Sequence, residues 1–347
     1  MTVRTADLSD PGEVRMIESF LTERAEAQLF QRPAWSRAVE RGCGSRSYYL
    51  VCENGAGKLR GLLPLSEIRS PLFGNSMVSA GFGVGGGILA DDVATGEALA
   101  AAAWALAERR DCSSVELRGG MLPEEWQIQD GVYANFATDL PSGDEAILLS
   151  IKPRHRAKIR RTFGYPIEYR TGTSEKNLND HYLAYSTSVR NLGTPVFPRQ
   201  LFTAMAEEFG TDAEITTASI DGEVLSSVFS FYYKGTVYIY WTGGTPKARD
   251  LQANLALNYR VMCDASRRGC TRADLGRSKL GTGPYVFKEN WGMSPQPLVY
   301  AVRTADGAKP REINPLNPKY RLKIAMWQKL PLPVANRVGP LIARGLG

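Results

Sequence analysis

R-R-D-C-S-S-V-E-L (residues 109–117) and R-R-G-C-T-R-A-D-L (residues 267–275) align without a gap. Each follows an alanine-containing helical pattern, 94–110 and 252–268, and each runs into a strand pattern, 113–118 and 272–275. The same Arg-Arg-x-Cys step and the same acid–Leu pair, met twice at a helix-to-strand junction, mark an internal duplication. The plan repeats upstream as well. Residues 48–53, an Asn54-Gly55 turn and 59–68 read as a hairpin; 214–220, Asp221-Gly222 and 224–233 read as a second, extended by 236–242. An α/β protein of two like units is therefore expected.

Length agrees, since 347 residues suit two domains of ordinary size. The expected division is 1–145, 146–312 and a basic, proline-containing tail at 313–347. A 43% hydrophobic, 22% charged chain is that of a globular protein with ample core. No apolar run approaches the ~18 residues of a membrane span, and the start M-T-V-R-T-A-D-L-S-D shows no secretory signal. Five cysteines without a C-x-x-C pair, and two histidines (His155, His181), give neither a disulfide framework nor a metal site. A reduced, cytoplasmic protein is expected, with peripheral contact at the inner face of the membrane as an option for the tail.

The net charge of +6 is concentrated in two places. K-P-R-H-R-A-K-I-R-R (152–161) and the tail hold twelve of the 42 Lys and Arg and no acid, so the remainder is acidic. Such density on a short helix calls for an anion, phosphate above all, or else for a merely solvated face. The tail mixes Trp327, Leu330, Leu332, Val338, Leu341 and Ile342 with Lys329, Arg337 and Arg344. That composition suits an anionic bilayer surface or packing on the protein itself. Pro331, Pro333 and Pro340 argue against one long amphipathic helix.

The densest chemistry lies in L-G-R-S-K-L-G-T-G-P-Y-V-F-K-E-N-W-G (275–292), read as a strand end continuing into a loop. Gly276, Gly281 and Gly283 permit close backbone approach. Arg277, Lys279 and Lys288 supply cations, and Tyr285, Phe287 and Trp291 supply apolar walls. Lys288 between rings would be desolvated and placed to meet an oxyanion, or else would snorkel on them. Arg277 and Lys279, with backbone N–H groups of Gly281 and Gly283, offer a phosphate cradle. Asp274 is either a general base or the partner of Arg277.

Y-x-F-K-x-x-W-G (285–292) resembles the Y-x-F-K-x-x-F-G signature of the FemAB family, aminoacyl-transferring ligases built from tandem acetyltransferase-like (GNAT) domains. L-G-T-P-V-F-P-R-Q-L-F (192–202), N-P-L-N-P-K-Y-R-L (314–322) and W-Q-K-L-P-L-P-V-A-N-R-V-G-P-L-I (327–342) are similar to the subgroup associated with exosortase/PEP-CTERM and exopolysaccharide systems. The resemblance implies two tandem GNAT-like domains and gives Lys288, with Phe287 beside it, the transition-state role. It makes Arg156 and Arg160 binders of a substrate diphosphate. Trp35 falls in an F-Q-x-x-x-W stretch like one found early in the family, as a core or ligand-facing ring. Val39, flanked by Arg37 and Arg41, stands where the family commonly has lysine. S-K-L-G-T-G (278–283) departs from the GNAT pyrophosphate loop by placing Ser278 where Gln or Arg is expected.

The implied activity is amide formation on an amine of a phosphate-bearing peptidoglycan or exopolysaccharide precursor. No permanent cofactor is expected; the donor is aminoacyl-tRNA or acyl-CoA. Two alternatives stand beside it: an acyl-CoA-dependent N-acyltransferase acting on an exopolysaccharide sugar, and a non-catalytic basic adaptor for nucleic acid or anionic membrane.

Overall fold

The computed structural model describes residues 1–71, 74–308 and 321–347. In chain order its first half carries β1 Thr2–Thr5, α1 Pro11–Thr22, α2 Pro33–Cys43, β2 Ser47–Glu53, β3 Leu59–Ser70, β4 Gly74–Ser79, β5 Leu89–Ala90, α3 Val93–Arg109, β6 Ser114–Arg118, β7 Gln127–Gln129 and β8 Tyr133–Asp139. Then come α4 Asp144–Ser150, α5 Pro153–Thr162, β9 Glu168–Gly172, α6 Glu175–Asn191, α7 Arg199–Phe209, β10 Ala213–Ile220, β11 Glu223–Tyr233 and β12 Thr236–Gly244. The chain closes with α8 Pro246–Asp250, α9 Ala253–Arg267, β13 Arg272–Lys279, α10 Gly283–Glu289, β14 Pro295–Pro297, β15 Tyr300–Thr304, α11 Arg321–Gln328 and α12 Leu332–Ala343.

Two sheets result, in the orders β1-β2-β3-β4-β6-β15-β7 (with β5 on β3) and β9-β10-β11-β12-β13-β8-β14. They match position for position. In each, two helices separate the first two strands, and one long helix (α3, α9) precedes the second strand of the only parallel strand pair among the described residues, β4 with β6 and β12 with β13. The aligned nonapeptides occupy the same corner of each unit. Asp111 and Gly269 there both take positive φ, +54° and +82°, as the chain turns out of the helix.

The division expected at 145/146 is corrected by the sixth strands. β8, encoded before that boundary, pairs with β13 in the second sheet, while β15, encoded far beyond it, pairs with β6 in the first. Each unit completes its sheet with a strand from the other side of the boundary. The swap satisfies the open edges of β6 and β13, which would otherwise expose unpaired N–H and C=O groups.

The units also share a core. Trp35 on α2 is fully buried, stacked on Trp241 at 6.0 Å and edge-on to Phe30 and Tyr240, and its Nε1 donates to the Gly81 carbonyl. It contacts no open space, so its ligand-facing option is excluded. Equivalent helices α2 and α7 cross at Gly42, where an added Cβ would lie 2.4 Å from Leu201 Cα. Equivalents meeting equivalents is the contact an approximate twofold between repeats produces.

Within the described part of the tail, 321–347, the chain forms two helices interrupted before Pro331, so one long helix is indeed absent there. Pro331 caps α12, Pro333 sits in its first turn, where its missing N–H costs nothing, and only Pro340 lies inside. The resemblance over 314–322 falls mostly outside the described residues.

Candidate functional site

β12 and β13 hydrogen-bond as parallel neighbours only from Thr236↔Arg272 to Tyr238↔Asp274, although both strands continue well beyond. They splay apart after Asp274. On its other side β13 pairs with β8, and that register slips between Asp274 and Arg277. Gly276 makes the slip possible, since its φ of +68° lies where only glycine is free of strain. The carbonyls of Gly276 and Arg277 then both meet the Lys288 ammonium, at 3.0 and 2.9 Å.

Lys288 reaches them from α10. The stretch expected as loop is helical from Gly283, with Pro284 in its first turn. This places Tyr285 edge-on to Phe136 and the lysine Nζ 5.7 Å from that same ring. Burial pushes Lys288 down to about 8, against the opposing pull of Asp274 and with help from Arg277. Burial likewise raises Asp274, although Asn135, the Gly276 N–H and Lys288 all favour its charged form. An acid and a base are thus drawn toward one another in affinity for the proton, the arrangement that suits proton transfer near neutrality.

Asp274 is not the partner of Arg277. Its Oδ2 accepts from Asn135 Nδ2 at 2.9 Å and its Oδ1 from Gly276 N at 2.6 Å. Because a carboxylate only accepts, that bond fixes the amide orientation of Asn135. Asn135 Oδ1 is left buried without a partner among the described residues. Arg277 instead donates to the Tyr300 hydroxyl at 2.9 Å and lies 4.7 Å from the Tyr133 ring centre, with no carboxylate partner among the described residues.

These groups line a cleft between the units. One compartment of about 130 Å³ holds Asp274, Gly276, Asn135, Tyr238 and Arg118, roofed by Val84 and Gly85 of the glycine-dense loop. Its neighbour, about 290 Å³, holds Arg277, Tyr133, Tyr300, Glu116, Phe197 and again Arg118. Arg118 is almost wholly buried; it pairs with Glu116 at 2.7 Å and donates to the Gly83 carbonyl. In the aligned repeat, Glu116 stands for Asp274 and Arg118 for Gly276. A larger hollow of about 380 Å³ beside Arg37 and Arg41 shares none of these residues, and both its arginines are already paired with Glu208.

The remaining expected residues divide. Phe287 and the buried Trp291 pack on His155, whose neutral form burial favours, and so clamp the basic helix α5 onto α10. Trp291 is a core ring, not a cleft wall. Arg156 is half-buried on α5, whereas Arg160 is exposed and paired with Glu145 at 3.1 Å, so it is no free phosphate ligand. Lys279 closes β13 opposite Tyr133, its ammonium 6.0 Å from that ring. Gly281 and Gly283 turn the chain into α10 with open space around them and line neither compartment. Asn135, Tyr133 and Tyr300 were not singled out from the sequence, because strand exchange alone lays β8 with Tyr133 and Asn135 beside β13 and puts Tyr300, on β15 of the other sheet, within reach of Arg277. Arg118 was findable: it directly follows the first aligned acid–Leu pair.

Residues 151–289 match the family described as Acetyltransferase (GNAT) domain. The match lies within the second unit, and with the fold it supports a transferase. No curated protein sequence matches the chain. Among solved structures, FemX superposes with a TM-score of 0.65 at 12% identity, covering 86% of this chain and 97% of its own. A tandem GNAT protein from the clavulanic acid biosynthesis pathway gives 0.57 at 14% identity over 89% and 99%. L-PGS from Bacillus licheniformis gives 0.54 at 13% over 98% and 99%. The fold is thus that of tandem GNAT proteins, and the two-unit α/β expectation holds.

Proposed function

We propose that the chain transfers an aminoacyl or acyl group to an amine, forming an amide, in the cleft at the splay of β12 and β13. The observation that carries this is the pair of acceptors there: the Asp274 carboxylate, raised by burial, beside the unpartnered Asn135 Oδ1. An incoming ammonium or amine brings the donor that Asn135 Oδ1 lacks and one more for a remaining lone pair of Asp274. Asp274 takes the proton as nitrogen attacks the donor carbonyl; the C–S bond of a thioester, or the C–O bond of an aminoacyl ester, then breaks, and the departing sulfur or oxygen takes up a proton to leave as thiol or hydroxyl. The substrate amine is itself the nucleophile, so no enzyme-bound acyl intermediate is needed. Two of the three Lys288 donors are held by the Gly276 and Arg277 carbonyls. The third meets the carbonyl oxygen as it becomes anionic.

The acceptor is an anionic cell-envelope precursor. Arg277, without a carboxylate partner, awaits phosphate or carboxylate in the adjoining compartment, and Arg156 adds charge from α5. The likeness of 192–202 and 327–342 to exosortase-associated proteins favours an exopolysaccharide acceptor. The acetyltransferase match favours acyl-CoA as donor, while the FemX likeness favours the aminoacyl reading. Stabilisation of the protein against heat by acetyl-CoA but not by charged tRNA selects the first, and the reverse selects the second.

The test is made on cells. In a strain lacking the gene, mass spectrometry of peptidoglycan and exopolysaccharide fractions should show one aminoacyl or acyl mass missing. The wild-type gene should restore it and Asp274→Asn should not. Unchanged fractions, or full rescue by Asp274→Asn, would overturn the reading.

A further inference from the structure

The outward faces of the last two helices are apolar where solvent-facing helix surfaces are ordinarily charged. α12 packs inward through Ala335, Gly339 and Ala343, a small-residue stripe at four-residue spacing. Gly339 sits against Val196, with no room for a side chain. The opposite face carries Val334, Val338 and Leu341, the last 71% exposed, with Arg337 and Arg344 along one border. α11 repeats the pattern. It turns Ile324 against Gly193 and ties Trp327 Nε1 to the Thr194 carbonyl, yet holds Leu322 and Met326 outward, 72% and 63% exposed, among Arg321, Lys323 and Lys329.

These side chains are not loose ends. Arg190 of α6 donates to the Gln328 and Leu330 carbonyls and fixes the turn between the two helices. Leu192, 58% exposed, extends the apolar surface at the point where α6 ends beside Ile324. From residue 313 to 347 there is no Asp or Glu. A protein partner or a second copy of this chain, whose surface outside the two basic segments is net acidic, would bring both signs of charge. Apolar residues at helical spacing, with cations and no acid among the tail's own residues, complement a surface of acyl chains beneath anionic headgroups.

We propose that α11 and α12 together form an interfacial platform that docks this protein on an anionic lipid bilayer. α12 then does a second thing. Its far end, about 18 Å from its start by helical rise, continues into Leu346 and Gly347, which wall the larger cleft compartment, and the Gly347 main-chain oxygen accepts from Arg118. The platform therefore sets the cleft close to the membrane surface. The docking stands independently of the transfer chemistry.

The experiment is co-sedimentation of the full chain with phosphatidylcholine vesicles, with and without about 30 mol% phosphatidylglycerol. Binding to the anionic vesicles is expected, weakening with salt. The double variant Met326→Asp, Leu341→Asp should bind at least tenfold more weakly. The set Lys323→Gln, Lys329→Gln, Arg337→Gln should lose roughly fivefold for each charge removed. Leu183→Asp, at an exposed leucine of α6 outside the tail, should change nothing. Absence of binding to anionic vesicles, or binding indifferent to both sets of substitutions, overturns the proposal. So does a dimer in analytical ultracentrifugation that the aspartate pair dissociates, since the face would then belong to a second copy.

Discussion

Among the described residues Asp274 has two donors and no cation in direct contact, an unusual balance for a half-buried carboxylate. Its function depends on remaining an acceptor at a site where burial disfavours charge. Asp274→Asn keeps the shape but turns one oxygen into a donor facing either Asn135 Nδ2 or the Gly276 N–H. Transfer should fall ~10²–10⁴-fold, the range for losing a positioned base, with little change in the midpoint of thermal unfolding. A variant that transfers at the native rate would remove Asp274 from the chemistry. The raised affinity of Asp274 for its proton also sets the acid side of the profile. Activity should decline on acidification at a higher pH than an ordinary aspartate, because the base is lost as pH falls through its raised value.

β13 is the element on which the site is assembled, and much of it could be read in advance. The aligned nonapeptides located the strand, its acid and the preceding helix, since duplicated junctions leave a linear trace. The clustering of glycine and cations after it was equally plain. What the linear pattern does not contain is the partner of β13. Whether 133–139 pairs at home or across the boundary depends on which sheet edge is open, a property of the assembled halves. α10 was missed for a local reason, because glycine and proline inside 281–284 read as loop while serving as the entry to a short helix. The bulge at Gly276 gives the element its own test. Gly276→Ala has room for its methyl group but must adopt φ near +68°, at ~1–2 kcal/mol. The strand can relax by losing the slip that aims two carbonyls at Lys288. The expected outcome is a modest fall in melting temperature with a much larger fall in transfer rate; equal and small effects would mean the bulge does not position the lysine.

At the scale of the molecule, the halves are one body joined by exchanged strands and by the core around Trp35. The duplicated plan explains why the cleft forms where it does, with β6 and β13, the equivalent strands, ending on opposite sides of it. The crossing of α2 and α7 should accordingly be intolerant of bulk. Gly42→Val places carbon against the Leu201 backbone, and overpacking of this kind costs about 1–3 kcal/mol. Differential scanning calorimetry should record a clear loss of stability, whereas Gly55→Val, in an open turn, should record almost none. No helix among the described residues is long and apolar enough to cross a membrane.

The central claim is that Lys288 works as a half-buried cation held by two carbonyls, and the rate of transfer against pH tests it most directly. With its ammonium lowered from 10.5 to about 8, wild-type activity should drop as pH rises through about 8, while stability should rise over the same interval because only the unfolded chain still holds the proton. Lys288→Met should lower the rate ~10²–10³-fold and abolish that alkaline limb. An alkaline limb that persists unchanged in Lys288→Met at near-native rate would contradict the account.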